Sequence, residues 1–197
     1  LKEKHLVLLL TKLDMIHTCI DENSISGFWS NYAGPESVEG LSKFIVDMFS
    51  RAAFDKDGQQ RSFVTSRGSL VEPDMFTSMI QQTLEVLIRK HRFEEQILKT
   101  IVLGPKQSGK STFSRMLRTY YTNYEPECSS DLLAEVALNT DVVYSNKTAT
   151  RDTWSHMIKN SHSAVFVVSL TDYVNPAGMS ESVKLFARVF HSTKLQK

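Results

Sequence analysis

The 197 residues carry 23 Lys and Arg against 22 Asp and Glu, a formal net charge of +1, with 41% hydrophobic and 23% charged residues. That balance suits one globular core of ordinary size, and with no run of five like charges it excludes the electrostatic footprint of a nucleic-acid or membrane-surface binder. Cys19 and Cys128 follow no metal or redox spacing, and no apolar run is long enough to span a bilayer. The expectation is therefore a cytoplasmic protein with two reduced thiols. No signal peptide is visible, and a start at Leu1 rather than Met is expected of a fragment.

In chain order, the first strong signal is "LVLLL" at residues 6–10, a short apolar run of the kind buried on both faces of a parallel sheet. "TKLD" follows it at once. Residues 37–54 place Val38, Leu41, Phe44, Ile45, Met48, Phe49 and Ala52 at helical spacing, with Ser37 as N-cap after the turn "AGPES". "FDKDGQQR" is a polar loop, and "SFVTSRGS" (62–69) is a short strand running into a Gly-containing loop. Glu72-Pro73-Asp74 opens a helix whose apolar face is Met75, Phe76, Met79, Ile80, Leu84, Leu87 and Ile88.

Ile101-Val102-Leu103 is a strand that feeds Gly104, and a helix begins near Lys110 and runs to about Tyr120. Residues 123–131 read as loop. Residues 132–144 suggest a hairpin turning at Asn139-Thr140-Asp141. Residues 153–160 read as helix, "AVFVVSL" (164–170) as another buried strand, and 179–191 as a helix carrying Val183, Leu185, Phe186, Val189 and Phe190. Strands alternating with helices argue for an α/β fold with a mainly parallel sheet covered on both faces.

The chemistry concentrates at Gly104-Pro105-Lys106-Gln107-Ser108-Gly109-Lys110-Ser111, with Thr112 next, which matches G-x-x-x-x-G-K-[ST] in full. The glycines let backbone amides turn inward around a phosphate, and the following helix offers its positive end. Lys110 would reach the outer phosphates and the Ser111 hydroxyl would hold Mg²⁺, which favours oxygen ligands. An ordinary Gly-containing turn is the bland alternative, but a strand before and a helix after favour a nucleotide. The motif does not choose between ATP and GTP.

Thr11, Lys12 and Asp14 address that choice. A carboxylate accepts two parallel hydrogen bonds, and guanine offers N1–H and the 2-amino group side by side, whereas adenine does not. Asp14, past the end of a buried strand, suits that role, and the Lys12 stem can lie along the base. The backbone of Thr65-Ser66-Arg67 is a candidate for the base oxygen. Each of these two tetrapeptide-sized signals also fits a solvated strand-end loop. His156 and His162 have no ligand-spaced partners, and "FDKDGQQ" reads as a solvated turn because position 66, where a Ca²⁺ loop needs Glu, is Ser.

The phosphate loop, T-K-L-D and T-S-R together resemble the guanine-nucleotide motifs of the Ras-like GTPase superfamily, in a different order. The family order is phosphate loop, switch regions, N/T-K-x-D and then a T-S-A-like loop. Here the base motifs come first, so the resemblance implies a circularly permuted P-loop NTPase domain over residues 1–197. Residues 1–100 would be the usual C-terminal half and 101–197 the usual N-terminal half. "TRDTWSHMIKNSHSAVFVVSLTDY", "MSESVKLFARVF" and "NYAGPES" are similar to segments of heterotrimeric G-protein α subunits, with the Arf proteins a related branch. The resemblance implies a molecular switch for GTP or GDP with Mg²⁺, acting in signal transduction through a protein effector or regulator, without nucleic acid.

This chain departs from the family in three places. The α-subunit helical domain has no room. No R-x-x-T is found in the first switch, where Thr122, Thr140 and Arg151 are the nearest substitutes. The D-x-x-G-Q of the second switch is missing, with Asn146 and Lys147 standing where Gly and Gln would and Asp141 the one nearby acid for Mg²⁺ through water. Lys cannot orient a water as Gln does, because it has no acceptor. GTP hydrolysis is therefore expected to be slow or partner-assisted. A pseudoGTPase scaffold and an adenine-using P-loop kinase or ATPase are the alternatives.

Overall fold

Two of the apolar runs lie side by side at the centre of one sheet. In a computed structural model that describes residues 5–53, 63–89, 97–123, 137–142, 161 and 163–192, β1 (His5–Thr11) pairs with β5 (Ser163–Ser169) over seven residue positions in parallel. Every position of β5 is buried, as is 6–11 of β1, which is what a strand covered on both faces requires. The remaining strands are β2 (Val64–Arg67), β3 (Ile97–Leu103) and β4 (Ala137–Val142). The order across the sheet is β2-β1-β5-β3-β4, and all four pairings are parallel.

Parallel neighbours need crossovers, and helices supply them. The helices are α1 (Leu13–Glu22), the single turn α2 (Ile25–Phe28), α3 (Val38–Ala52), α4 (Pro73–Arg89), α5 (Lys110–Asn123) and α6 (Pro176–Ser192). A 3₁₀ segment, Leu170–Val174, leads from β5 towards α6. The period-2 alternation of the strands splits the core in two. Leu8, Leu10, Leu103, Phe166 and Val168 face Ile16 of α1, Ile25 of α2, Leu41, Ile45 and Phe49 of α3, and Met179 and Phe186 of α6. Phe49, Phe166 and Phe186 pack mutually, with ring centroids 5.0 to 6.1 Å apart. Burying each such ring stabilises the fold by about 1.5–3 kcal/mol. On the other face, Val7, Leu9, Val102, Val165 and Val167 meet Met79 and Ile80 of α4 and Phe113 and Leu117 of α5.

This division places the site. The helix after β3 covers one face and the helix after β5 covers the other. The C-terminal ends of these neighbouring strands therefore border a crevice from which the chain departs in opposite directions, where parallel α/β sheets bind ligands.

The Ser37 side chain accepts from Gly40 N at 3.1 Å and caps α3, as its sequence suggests. Gly40 is needed there, since a Cβ would stand 2.2 Å from the Pro35 carbonyl oxygen. The expected hairpin at 139–141 is not formed. Asn139, Thr140 and Asp141 are paired with Lys99, Thr100 and Ile101 inside β4, so turn-prone residues serve as strand because β3 offers a parallel partner. The helix expected at 153–160 lies outside the described residues, as do Asn146, Lys147 and Arg151. Helices α1 and α2 have no counterpart among the elements that the sequence suggests.

Candidate functional site

The phosphate-loop sequence leaves β3 at Leu103 and enters α5 at Lys110. Gly104 has φ +143°, and a Cβ there would lie 2.1 Å from Val167 O, so only glycine lets this exit run against the backbone of β5. Gly109, at φ +94°, lies under the Leu70 side chain, and a Cβ would come within 2.8 Å of Leu70 Cδ1. Gln107 is left-handed at φ 64°. Pro105 is half-buried, while Lys106 and Gln107 are exposed. The loop thus bulges outward between two glycines.

One of its polar groups is left without a partner. Ser108 is fully buried, and its hydroxyl oxygen has no hydrogen-bond partner. Lys110 is almost wholly buried, and its ammonium donates to the Pro105 carbonyl within the same loop. Burial pulls its pKa down to about 8. Ser111 is exposed and Thr112 half-buried in the first turn of α5, where Phe113 N donates to Gly109 O at 2.8 Å. An orphaned hydroxyl, a buried ammonium folded onto its own loop and a helix start are a donor set that fits an anionic phosphate.

The base-motif residues stand beside it. Thr11, last in β1 and fully buried, donates its hydroxyl to Ser108 O at 2.9 Å and approaches Val168 O at 3.2 Å. One side chain therefore ties the ends of β1 and β5 to the phosphate loop, 97 positions along the chain. Lys12 is left-handed (φ 64°, ψ 36°), a conformation a non-Gly residue adopts at a cost of about 1–2 kcal/mol. Asp14 follows, half-buried in the first turn of α1. Gly68 N donates to Leu10 O at 3.0 Å and Leu13 N to Gly68 O at 3.4 Å, which joins the loop after β2 to the start of α1.

Thr65, Ser66 and Arg67 lie within β2 rather than in the loop past it. Ser66 Oγ donates to Gln82 Oε1 at 3.2 Å, while Thr65 and Arg67 line a separate cavity of about 480 Å³ against Glu39, Ser42 and Lys43 of α3. The residue that reaches the phosphate loop from this side is Leu70, four positions after Ser66, while Gly68 bonds Leu10 and Leu13. Ser69 Oγ accepts from Val71 N and Glu72 N and turns the chain into α4.

Asp141 is paired with Ile101, so its backbone runs beside β3 two residues before Leu103. Among the described residues, no three His, Cys, Asp or Glu side chains converge as a metal cage, and no helix is long and apolar enough to cross a membrane. A magnesium ion on Ser111 would draw its remaining ligands from phosphate and water, as that ion usually does. Comparison of the chain with protein-family models, with curated proteins and with solved structures finds no match.

Proposed function

We propose that this chain is a guanine-nucleotide-binding switch of the G-protein α-like kind, a circularly permuted Ras-like domain that holds GTP or GDP with Mg²⁺. The observation that carries the proposal is the Thr11 hydroxyl bonded to Ser108 O, which brings T-K-L-D and G-P-K-Q-S-G-K-S to one mouth. Residues 104–112 take the phosphates, with Lys110 on the outer ones and Ser111 on the metal. Asp14 reads the guanine edge, and Lys12 covers a face of the base. An adenine nucleotide would leave the Asp14 carboxylate without its paired donors, which is how a site rejects the wrong base.

The strand order supports the permuted arrangement. β5 and β1 are parallel neighbours at opposite ends of the sequence, and α6 follows β5. Joining the chain's end to its beginning would make β5–α6–β1 an ordinary crossover unit, and exposed connections tolerate such cuts.

Turnover is proposed to be slow or dependent on a partner, because Lys147 occupies the position where the family's water-orienting Gln would stand. The same residue favours a second reading, a scaffold that retains nucleotide without hydrolysing it. The nucleotide content of the purified protein and a single-turnover hydrolysis assay separate the two. GDP in the protein with measurable turnover supports the switch, and GDP without turnover supports the scaffold. Asp14→Ala should lower GDP affinity by about tenfold or more and abolish preference over ADP. Equal GDP and ADP affinities in the unaltered protein would point to the kinase or ATPase alternative.

A further inference from the structure

We propose that the cavity between α3 and β2, about 480 Å³, binds a small phosphate ester that carries a hydroxyl group. The inference does not depend on the guanine-nucleotide reading above.

Two periodicities build the cavity. Glu39, Ser42, Lys43 and Val46 fall at i, i+3, i+4 and i+7 of α3, which is one face of a helix. Thr65 and Arg67 are in register with Leu8 and Leu10, whose side of the sheet is the one that α3 covers. β2 stands at the end of the strand order, so this side of the sheet has no further described strand beyond it. T-S-R, which the sequence offers to a base, therefore serves a different space. Its outer residues line the cavity, while the middle one bonds Gln82 of α4.

The lining is short of partners. Ser42 is almost wholly buried, and its hydroxyl oxygen has no hydrogen bond. Burying such a group alone is costly, and an occupant that bonds it removes the cost. Among the described residues, no ion pair or hydrogen bond engages the side chain of Lys43 or Arg67, although Glu39 stands one helical turn before Lys43. Ser66 donates to Gln82 Oε1, which leaves the N–H donors of that amide for another group. Two cations against one carboxylate select an anion, and the Arg67 fork matches two oxygens of a phosphate at once. Glu39 repels that phosphate but accepts a hydrogen bond from a hydroxyl. The occupant therefore needs an anionic end and a donor end. Small-molecule sites commonly measure about 300–1,000 Å³, so the space admits both.

Backbone amide resonances, followed by NMR during titration with glycerol 3-phosphate, inorganic phosphate and glycerol, test the site. Glycerol 3-phosphate should shift Ser42, Lys43, Thr65 and Arg67 saturably and bind more tightly than inorganic phosphate, and glycerol should shift none of them. Arg67→Gln should weaken the ester about tenfold, Arg67→Lys less because it keeps the charge without the fork, and Ser42→Ala a few-fold. Arg67 is exposed, so the amides away from the cavity should report an intact fold in its variants. Shifts confined to residues 104–112 would put the phosphate on the other loop and overturn the proposal. Glycerol 3-phosphate that binds no tighter than inorganic phosphate would overturn it too, as would an Arg67→Gln protein that binds the ester undiminished.

Discussion

The loops that leave β1 and β3 meet where Thr11 bonds Ser108, and they treat their polar groups in opposite ways. At the β1 exit several hydrogen bonds tie the chain to its surroundings. Thr11 spans to Ser108 and Val168, Gly68 bonds both Leu10 and Leu13, and Ser69 caps the approach to α4. At the β3 exit the glycines are forced into positive φ, a buried hydroxyl is left over and an ammonium is folded back onto its own loop. A bonded rim beside a loop that buries one partnerless hydroxyl, that of Ser108, is a pattern that would suit a frame around an anion.

Three measurements can break or sharpen this contrast. The largest effect is expected at Thr11→Val, which keeps shape but leaves the Ser108 carbonyl without its donor. Stability should fall by about 1–3 kcal/mol by chemical denaturation, and GDP affinity should fall with it. An unchanged denaturation midpoint would show that the rim is not held as described.

Next comes the pH dependence set by Lys110. Burial lowers its pKa from the usual 10.5 to about 8, so the free protein sheds this proton as pH rises through about 8. A bound phosphate favours the charged ammonium. Below pH 8 both states are protonated, and GDP affinity should be flat with respect to this group. Above it, binding must take up a proton, and affinity should fall by up to about tenfold per pH unit. The nucleotide-free protein, by the same linkage, should gain stability between pH 8 and 10.5, where the unfolded chain binds the extra proton. Affinity that stays level from pH 7 to 10 would exclude Lys110 from the anion site.

The smallest effect has the opposite sign to the first. Ser108→Ala removes a buried hydroxyl that has no partner. The free protein should become about 1 kcal/mol more stable while GDP affinity drops a few-fold, read by thermal unfolding with and without GDP.

The sequence made some of this readable and hid the rest for definite reasons. β1 and β5 are continuous apolar runs, and the G-x-x-x-x-G-K-[ST] loop is complete, so both announce themselves locally. β4 did not, because Asn139-Thr140-Asp141 carries turn chemistry and becomes strand only beside β3. α1 is obscured because T-K-L-D reads as a strand-end loop, although Ile16 and the half-buried Leu13, Cys19 and Ile20 pack its inner face. Thr11 could be named as part of a motif, but its bond to Ser108 depends on β1 and β3 flanking β5, which no local pattern reveals.

The pairing of β1 with β5 has a consequence for how the molecule is made. Thr11 and Val168, which touch in the finished sheet, are 157 positions apart. During synthesis β2 can cover one edge of β1, but the other edge stays open until residues 163–169 have emerged, and closing so large a loop is entropically slow. Acquisition of the native state should therefore be late and leave the nascent chain open to self-association.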